Sequence, residues 1–174
     1  MTLIPITHWK LREAKFFMGK LAQEERINNL DREDFSYYLS AFLSAGRSVT
    51  FFLENEQSAS YKAWFQPVWM KNLPPEESQF MDFMNAQRVA AVHCLGAETQ
   101  EDVTMVPLAH ALAHDLNPLY LAYADTGAPG AISEIGQNVY YFGVNGKQEK
   151  AVDVCRRYLD LLVRLVTDFD LAFP

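Results

Sequence analysis

The stretch FSYYLSAFLSAGRSVTFFLENE, residues 35–56, is the part of the sequence that decides the fold. Its apolar and small residues recur at the three- and four-residue spacing of one helix face. They are Phe35, Tyr38, Leu39, Phe42, Ala45, Gly46, Val49, Phe52 and Leu53. With Asp31 as a candidate N-cap, this pattern predicts a helix over about residues 33–54. Gly46 costs about 1 kcal/mol of helix propensity relative to alanine, which indicates a close contact with another helix.

Three further long helices are predicted around this segment, over about residues 7–30, 75–94 and 149–169. The last has the strongest apolar stripe, and Pro75 with two glutamates starts the one before it. The first has a looser stripe, which comprises Trp9, Leu11, Phe16, Phe17, Leu21 and Ile27. A shorter helix is expected from Tyr61 to Gln66, since a proline at position 67 disfavours helix in the residue before it.

The helical pattern gives way to β-prone residues between about Glu101 and Lys147. The short β-prone runs VTMVPLA, LYLAYAD and NVYYFGV are separated by turn-forming residues such as Asn145-Gly146. We therefore predict a mainly α fold. It is an up-and-down helical bundle with a small β-hairpin or sheet inserted before the last helix. A chain of 174 residues fits one such domain.

The composition limits the class of protein. A net charge of -7 and a sequence pI near 5.0 argue against nonspecific coating of nucleic acid. Cys94 and Cys155 lie in no CxxC spacing, and no secretory leader or run of about 18 uncharged apolar residues is present. The expected location is the cytoplasm, with no membrane partner.

Arg88 and His93 are the best candidates for catalysis, near the end of the third long helix. Arginine is permanently charged and binds phosphate oxygens, while histidine exchanges a proton near neutral pH. Together they suit metal-independent cleavage of RNA, in which histidine moves a proton and arginine neutralises charge on the phosphate. The structural alternative is an arginine bonded to backbone or carboxylate and a histidine satisfied at a helix end.

The chain resembles the HEPN superfamily (higher eukaryote and prokaryote nucleotide-binding), a set of helical-bundle proteins with an R-x4-6-H motif. The resemblance covers most of the chain. It is carried by Arg88-x4-His93, the FSYYLSAFLSAGRSVTFFLENE helix, the aromatic segment YKAWF and the closing stretch YYFGVNGKQEKAVDVCRRYLDLLVRLV.

This resemblance implies a homodimer whose two motifs face each other and form an RNA-cleaving site without a cofactor or metal. It also implies a toxin–antitoxin or antiphage setting, with a cognate antitoxin as a possible partner. Many active members have a polar residue directly after the arginine, whereas this chain has Val89. Val89 and the acidic pI favour the alternative, a catalytically inactive HEPN-like scaffold or a nucleotide- or RNA-binding protein.

Three polar residues are candidates for binding rather than catalysis. Asn85 lies one turn before Arg88 and is our candidate for the missing polar group. Arg47 and Ser48, on the polar face of the second helix, would extend a phosphate-contacting patch, although Arg47 also fits a structural ion pair. Five positions rotate by about 140° around a regular α-helix, so Arg88 and His93 converge only through a distortion or a partner subunit.

A competing hypothesis places a metal at His110 and His114, with Asp115 adjacent. Histidines four residues apart share a helix face and are able to hold one ion. No HExxH pattern or third ligand accompanies them, so two surface histidines are the simpler interpretation.

Overall fold

A computed structural model describes residues 3–26, 32–93, 97, 99–107 and 134–174. The described part contains α1 (Pro5–Arg26), α2 (Arg32–Glu56), α3 (Ser58–Trp64), a π-helix (Phe65–Met70), α4 (Pro75–His93), β1 (Thr99–Pro107), β2 (Glu134–Val144), β3 (Lys147–Lys150) and α5 (Ala151–Ala172). The fold is mainly helical, with a small antiparallel sheet before the last helix, as the sequence predicted.

The four long helices and the sheet share one hydrophobic core. Helix α1 packs chiefly on α2 and α5, and α2 also packs on α4. Most of the predicted α2 stripe is buried, and the apolar stripe of α5 faces the same interior. The fully buried large side chains include Phe42, Leu43, Leu53, Met84, Phe142, Leu162, Leu165 and Phe169.

The predicted stripe of α1 was wrong for two aromatic residues. Trp9 and Phe16 are 56% and 58% exposed. The buried face instead consists of Ile4, Thr7, Leu11, Ala14, Met18 and Leu21. Trp9 and Phe16 are seven residues apart and share the outer face, where lysine ammonium groups lie over their rings at 4.9 and 5.8 Å. Thr7 and Ala14 lie on the inner face, and both are completely buried.

The start of α1 is capped from another helix. The carboxylate of Glu56, the last residue of α2, accepts hydrogen bonds from the backbone N–H groups of Ile6 and Thr7, each at 2.8 Å. It also accepts one from the Thr7 hydroxyl at 2.7 Å. A negative charge at a helix N-terminus satisfies free N–H groups and complements the helix dipole. Glu56 therefore fixes the two ends of the α1–α2 pair to each other.

The helix predicted to stop at Gln66 continues past Pro67 instead, as the π-helix Phe65–Met70. In a regular α-helix the proline ring clashes with a carbonyl of the preceding turn and removes a hydrogen bond. The wider π turn accommodates that loss. The Trp69 indole N–H anchors the segment by donating to Asp168 of α5 at 2.9 Å.

The inserted strands form a three-stranded antiparallel sheet in the order β1-β2-β3. Asn145 and Gly146, with φ of 49° and 76°, make the tight turn between β2 and β3, as their sequence predicted. The ring of Tyr140 stacks on Phe35 at 3.9 Å and joins the sheet to α2. The predicted run LYLAYAD, the predicted N-cap Asp31 and Cys94 lie outside the described residues.

Within the described ranges, none of the helices has both the length and the apolar character needed to cross a lipid bilayer.

Candidate functional site

A cleft of about 410 Å³ opens among α2, α3, the π-helix, α4 and α5. Each of these elements contributes to its wall. The lining residues are Arg47, Thr50, Glu54, Tyr61, Lys62, Phe65, Gln66, Met70, Met81, Asp82, Asn85 and Tyr158. A cavity of this size, largely preformed by packed helices, is in the range that holds a small molecule.

The cleft has a buried floor and a polar rim. Thr50, Tyr61, Phe65, Met81 and Tyr158 are buried and form the floor. The rim consists of the exposed residues Lys62, Gln66, Asp82 and Asn85. A ligand that reached the floor would therefore leave water, while the part of it at the rim would stay hydrated.

Arg47 supplies the positive charge next to the floor. Its side chain is half-buried, and Nη1 donates to the Thr50 hydroxyl at 2.6 Å. That hydroxyl in turn donates to the Arg47 carbonyl at 3.0 Å, one turn earlier in α2. Among the described residues, no carboxylate forms an ion pair with Arg47. Because a guanidinium has five N–H donors, most of its hydrogen-bonding capacity is unused by the described part of the protein.

Two buried tyrosines, Tyr61 and Tyr158, line the same cleft as Arg47. Tyr61 and Tyr158 are 9% and 4% exposed, and neither hydroxyl has a hydrogen-bond partner among the described residues. Burial raises the pKa of Tyr158 to about 12 and raises the pKa of Tyr61 well above its ordinary value. The charge of Glu54 adds to the effect of burial on the pKa of Tyr61, and the charge of Arg47 acts against burial on the pKa of both tyrosines. Both remain neutral hydrogen-bond donors at physiological pH.

The lining also contains a half-buried carboxylate, that of Glu54, whose charge raises the pKa of Tyr61 further. Lys62 Nζ is 3.8 Å from Glu54 Oε1, which partly neutralises both groups. Asp82 is exposed, so water screens its charge. Arg47 is consequently the one cation of the described lining that is partly desolvated and has no acidic partner.

The structure brings two of the predicted binding residues together. Arg47 from α2 and Asn85 from α4 both line the cleft. Ser48 does not, since its hydroxyl donates to the Ser44 carbonyl of its own helix at 2.8 Å. A serine that bonds the carbonyl four residues earlier is occupied locally.

Arg88 and His93 lie outside this lining. Helix α4 is continuous between them, so their backbone positions differ by about 140° around its axis. Arg88 is half-buried, and its buried Nε has no hydrogen-bond partner in the described part of the chain. His93 is the last residue of the helix.

His110, His114 and Asp115 fall outside the described residues. In the ranges that the structure describes, no three histidine, cysteine, aspartate or glutamate side chains are grouped as metal ligands.

Thr50, Tyr61 and Tyr158 also line the cleft but were not predicted as site residues from the sequence. Thr50 is three residues after Arg47, and this spacing signals a contact on one helix face. Tyr158 belongs to the apolar stripe of α5, and its sequence position gives no sign that it lines a cleft. Only the packing of α5 on α2 brings it beside Arg47.

Gly46 allows that packing. A Cβ at this position would lie 2.6 Å from Tyr158 Cε1 and 3.3 Å from Leu162 Cδ1. We expect Gly46→Ala to destabilise the protein by about 1–3 kcal/mol, because the overpacking outweighs the gain in helix propensity. Gly19→Ala is the matched control. A Cβ there meets nothing within 4 Å, so a gain of about 0.5–1 kcal/mol is expected. Urea unfolding measures both, and equal effects would contradict the close contact.

Comparisons of the chain with protein-family models, with curated proteins and with solved structures gave no match.

Proposed function

We propose that this protein is a HEPN-like, non-catalytic binding protein that holds a phosphate-bearing ligand, a nucleotide or RNA, in the cleft beside Arg47. The observation that carries the proposal is the partly desolvated guanidinium, which has no acidic partner among the described residues. A desolvated charge costs free energy unless an opposite charge neutralises it. Arginine matches phosphate oxygens in both charge and geometry.

The acidic character of the whole chain is compatible with this proposal. A net charge of -7 disfavours contact along an extended nucleic acid backbone. A single guanidinium in a cleft instead attracts one phosphate at short range. The exposed amides of Gln66 and Asn85 at the rim are suitable hydrogen-bond partners for the sugar or base of the same ligand.

Binding is better supported than cleavage at this cleft. Histidine is absent from its described lining, and Arg88 is not part of it. Proton transfer is most efficient when the pKa of the acid or base is near the operating pH. Tyr61 and Tyr158 both have a strongly raised pKa, so they are suited to donating hydrogen bonds and not to exchanging protons at neutral pH.

Calorimetric titration with adenosine 5′-monophosphate and a short single-stranded RNA tests the proposal. Arg47→Gln is expected to weaken binding about ten- to a hundredfold, since a hydrogen bond to a charged group contributes about 1.5–3 kcal/mol. Ser48→Ala is the control on the adjacent position, where affinity should not change. Equal affinities of wild type and Arg47→Gln, or no binding by the wild type, would refute the proposal.

The second candidate function is a metal-independent endoribonuclease that uses Arg88 and His93 across a homodimer. It is favoured by the buried Nε of Arg88, which has no described partner, and by the resemblance stated above. Val89, beside it, is 43% exposed and offers apolar surface for a second subunit. In this proposal the protein acts in the cytoplasm against RNA and is controlled by a cognate antitoxin.

An RNA-degradation assay on wild type, Arg88→Ala and His93→Ala separates the two functions, with the oligomeric state measured by analytical ultracentrifugation. Cleavage by wild type that both substitutions abolish would establish the nuclease. Equal and negligible cleavage by all three proteins, with Arg47-dependent binding retained, would favour the binding protein.

A further inference from the structure

We infer that the outer face of α1 binds the surface of an anionic lipid bilayer, with its aromatic rings in the headgroup region. This outer face consists of apolar and basic side chains that lie outside the core, namely Ile6, Trp9, Arg12, Lys15, Phe16 and Lys20. None of them lines the cleft beside Arg47, so the inference is independent of the proposed function.

The apolar part of the outer face is a set of large side chains on one side of the helix. Trp9 and Phe16 are seven residues apart, and Ile6, which is 43% exposed, precedes Trp9 by three. Residues at these spacings share a helix face. The opposite face of α1 contributes Leu11 and Leu21 to the core. Single exposed apolar residues are ordinary, but several on one face mark a contact with a protein or a membrane.

Contacts within the protein fix the Trp9 ring and extend the apolar surface onto α2. The Lys10 ammonium lies 4.9 Å from the centroid of the Trp9 ring and 5.7 Å from that of Phe52. It also donates to the Glu13 carboxylate at 2.7 Å. The Phe52 ring meets the Phe51 ring at nearly a right angle, at a centroid distance of 5.6 Å, and Phe51 is 49% exposed. Exposed aromatic surface is therefore present on both helices.

The outer face is basic, although the chain as a whole is acidic. Residues 5–20 contain four basic residues and one acidic residue, a net charge of +3 in a chain whose total is -7. Arg12 and Lys15 are exposed, and neither forms an ion pair with a described residue. The Lys20 ammonium lies 5.8 Å from the centroid of the Phe16 ring. Each basic residue near an anionic bilayer adds about fivefold to the affinity, and aromatic rings among basic groups are typical of helices that lie in the bilayer interface.

Charge and shape favour a bilayer over a protein partner. A two-fold contact between copies of the chain through this face would bring Arg12 and Lys15 of both copies together, and like charges oppose that arrangement. A peptide segment would need a groove. Trp9 and Phe16 instead lie on the outer surface of a helix and line none of the principal clefts of the described residues. A broad, deformable surface covers such a face.

A bilayer also fits the outer face better than single-stranded RNA does. Bases bind by stacking on the flat side of an aromatic ring. Lys10 and Lys20 already lie over the rings of Trp9 and Phe16. The aliphatic side chain of Ile6 offers no ring for stacking, whereas a lipid surface removes aliphatic and aromatic side chains alike from water.

Surface binding of this kind requires no membrane-spanning segment, since only side chains enter the lipid. It is compatible with the absence of a spanning helix from the described ranges. It would overturn the expectation of no membrane partner, which was based on the lack of a leader and of a spanning segment.

Binding of the full chain to vesicles tests the inference. Equimolar phosphatidylcholine and phosphatidylserine vesicles are expected to bind the protein at least about tenfold more tightly than vesicles of phosphatidylcholine alone. Raising the salt concentration from about 0.1 to about 1 M should weaken this binding at least about tenfold, because the Debye length falls from about 10 to about 3 Å. Cosedimentation measures the affinity. Trp9 is far more exposed than Trp69, so its fluorescence should shift to shorter wavelength as the indole enters the headgroup region.

The double substitution Trp9→Ala/Phe16→Ala tests the apolar part of the outer face. It is expected to weaken vesicle binding at least about tenfold, because both rings leave water in the bound state. Val68→Ala, which truncates a 42% exposed side chain of the π-helix, is the control and should bind as wild type does. Thermal unfolding verifies that each variant folds.

The double substitution Arg12→Gln/Lys15→Gln tests the charges. It is expected to weaken binding by about ten- to thirtyfold, since two basic residues leave the contact. Lys71→Gln/Arg156→Gln removes the same net charge from exposed positions outside α1 and should have a much smaller effect.

The inference is wrong if the wild type binds neither kind of vesicle, binds both equally, or is matched in binding by Trp9→Ala/Phe16→Ala. It is also wrong if vesicles do not bind and the two rings are instead required for self-association in ultracentrifugation or for binding of single-stranded RNA. The outer face would then be a protein or RNA interface. Nucleotide binding beside Arg47 is decided separately, because the two sites share no residue.

Discussion

Replacing Phe42 with alanine is expected to lower the free energy of unfolding by about 3–5 kcal/mol, the largest effect of any single substitution considered for this chain. Phe42 is completely buried in α2, and its ring meets the edge of Tyr158 of α5 at a centroid distance of 6.2 Å. Its removal leaves a cavity between these two helices that backbone relaxation fills only in part. A loss of this size is a large fraction of the stability of an ordinary domain.

Phe51→Ala is the matched control, because it removes the same side chain from the same helix. Phe51 is 49% exposed, and its loss is expected to cost less than about 1 kcal/mol. Chemical denaturation followed by circular dichroism measures both variants against wild type. Similar destabilisation by the two substitutions would mean that α2 does not bury the face assigned to it here.

Alkaline unfolding is the second large expected effect. Burial raises the pKa of the Cys155 thiol above its ordinary value of 9.0 and that of Tyr158 from 10.0 to about 12, and the pKa of Tyr61 rises in the same direction. Above pH 9 the unfolded chain loses protons that the folded chain keeps. The free energy of unfolding therefore has its full value below pH 9. It falls as the pH rises further, by about 1.4 kcal/mol per pH unit for each group that is ionised only in the unfolded chain.

Urea unfolding at intervals from pH 7 to pH 11 measures this loss. In Cys155→Ala the decline should begin near pH 10 instead of pH 9. The reason is that only the tyrosines then contribute. The stability of this variant at each pH is compared with its own stability at neutral pH, which is lower than that of wild type. A stability that stays constant from pH 8 to pH 11 would contradict the burial of these three groups.

The long helices were predictable because their apolar residues recur with the helical period over several turns. In α5 the stripe through Val152, Cys155, Tyr158 and Leu162 is buried as expected. The turn at Asn145-Gly146 was predictable for a different reason, since two consecutive residues that tolerate positive φ are typical of a two-residue hairpin loop. These signals are local, because each depends only on residues that lie close together in the sequence.

The errors arose where tertiary contacts outweighed local preference. Trp9 and Phe16 have large aromatic side chains, yet they lie on the outer face of their helix, whereas Thr7 and Ala14 are completely buried on its inner face. Pro67 did not end its helix because the chain widened into a π turn, and the Trp69 side chain fixes that turn to Asp168. Helix propensity differs by less than about 1 kcal/mol among ordinary residues and is about 3 kcal/mol less favourable for proline, and packing together with buried hydrogen bonds exceeds both.

Two residues of the candidate cleft followed from the sequence. Arg47 was predicted because it lies on the polar face of the second helix, and Asn85 because it lies one turn before Arg88. Their partners Tyr61 and Tyr158 are aromatic residues in apolar surroundings, a pattern that predicts core packing. They line the cleft only because α3 and α5 pack against the helix that carries Arg47.

The stretch of residues 35–56 by itself determined an amphipathic helix, a buried face and a close contact at Gly46, because these follow from the period and size of its side chains. Tertiary structure alone decided which helix makes that contact and which side chains the contact brings together. A Cβ at Gly46 would meet Tyr158, and so the glycine allows α5 to place a phenol next to Arg47. Periodicity specifies which face of a helix is buried, whereas a binding site depends on distances between helices, and only the packed core sets those distances.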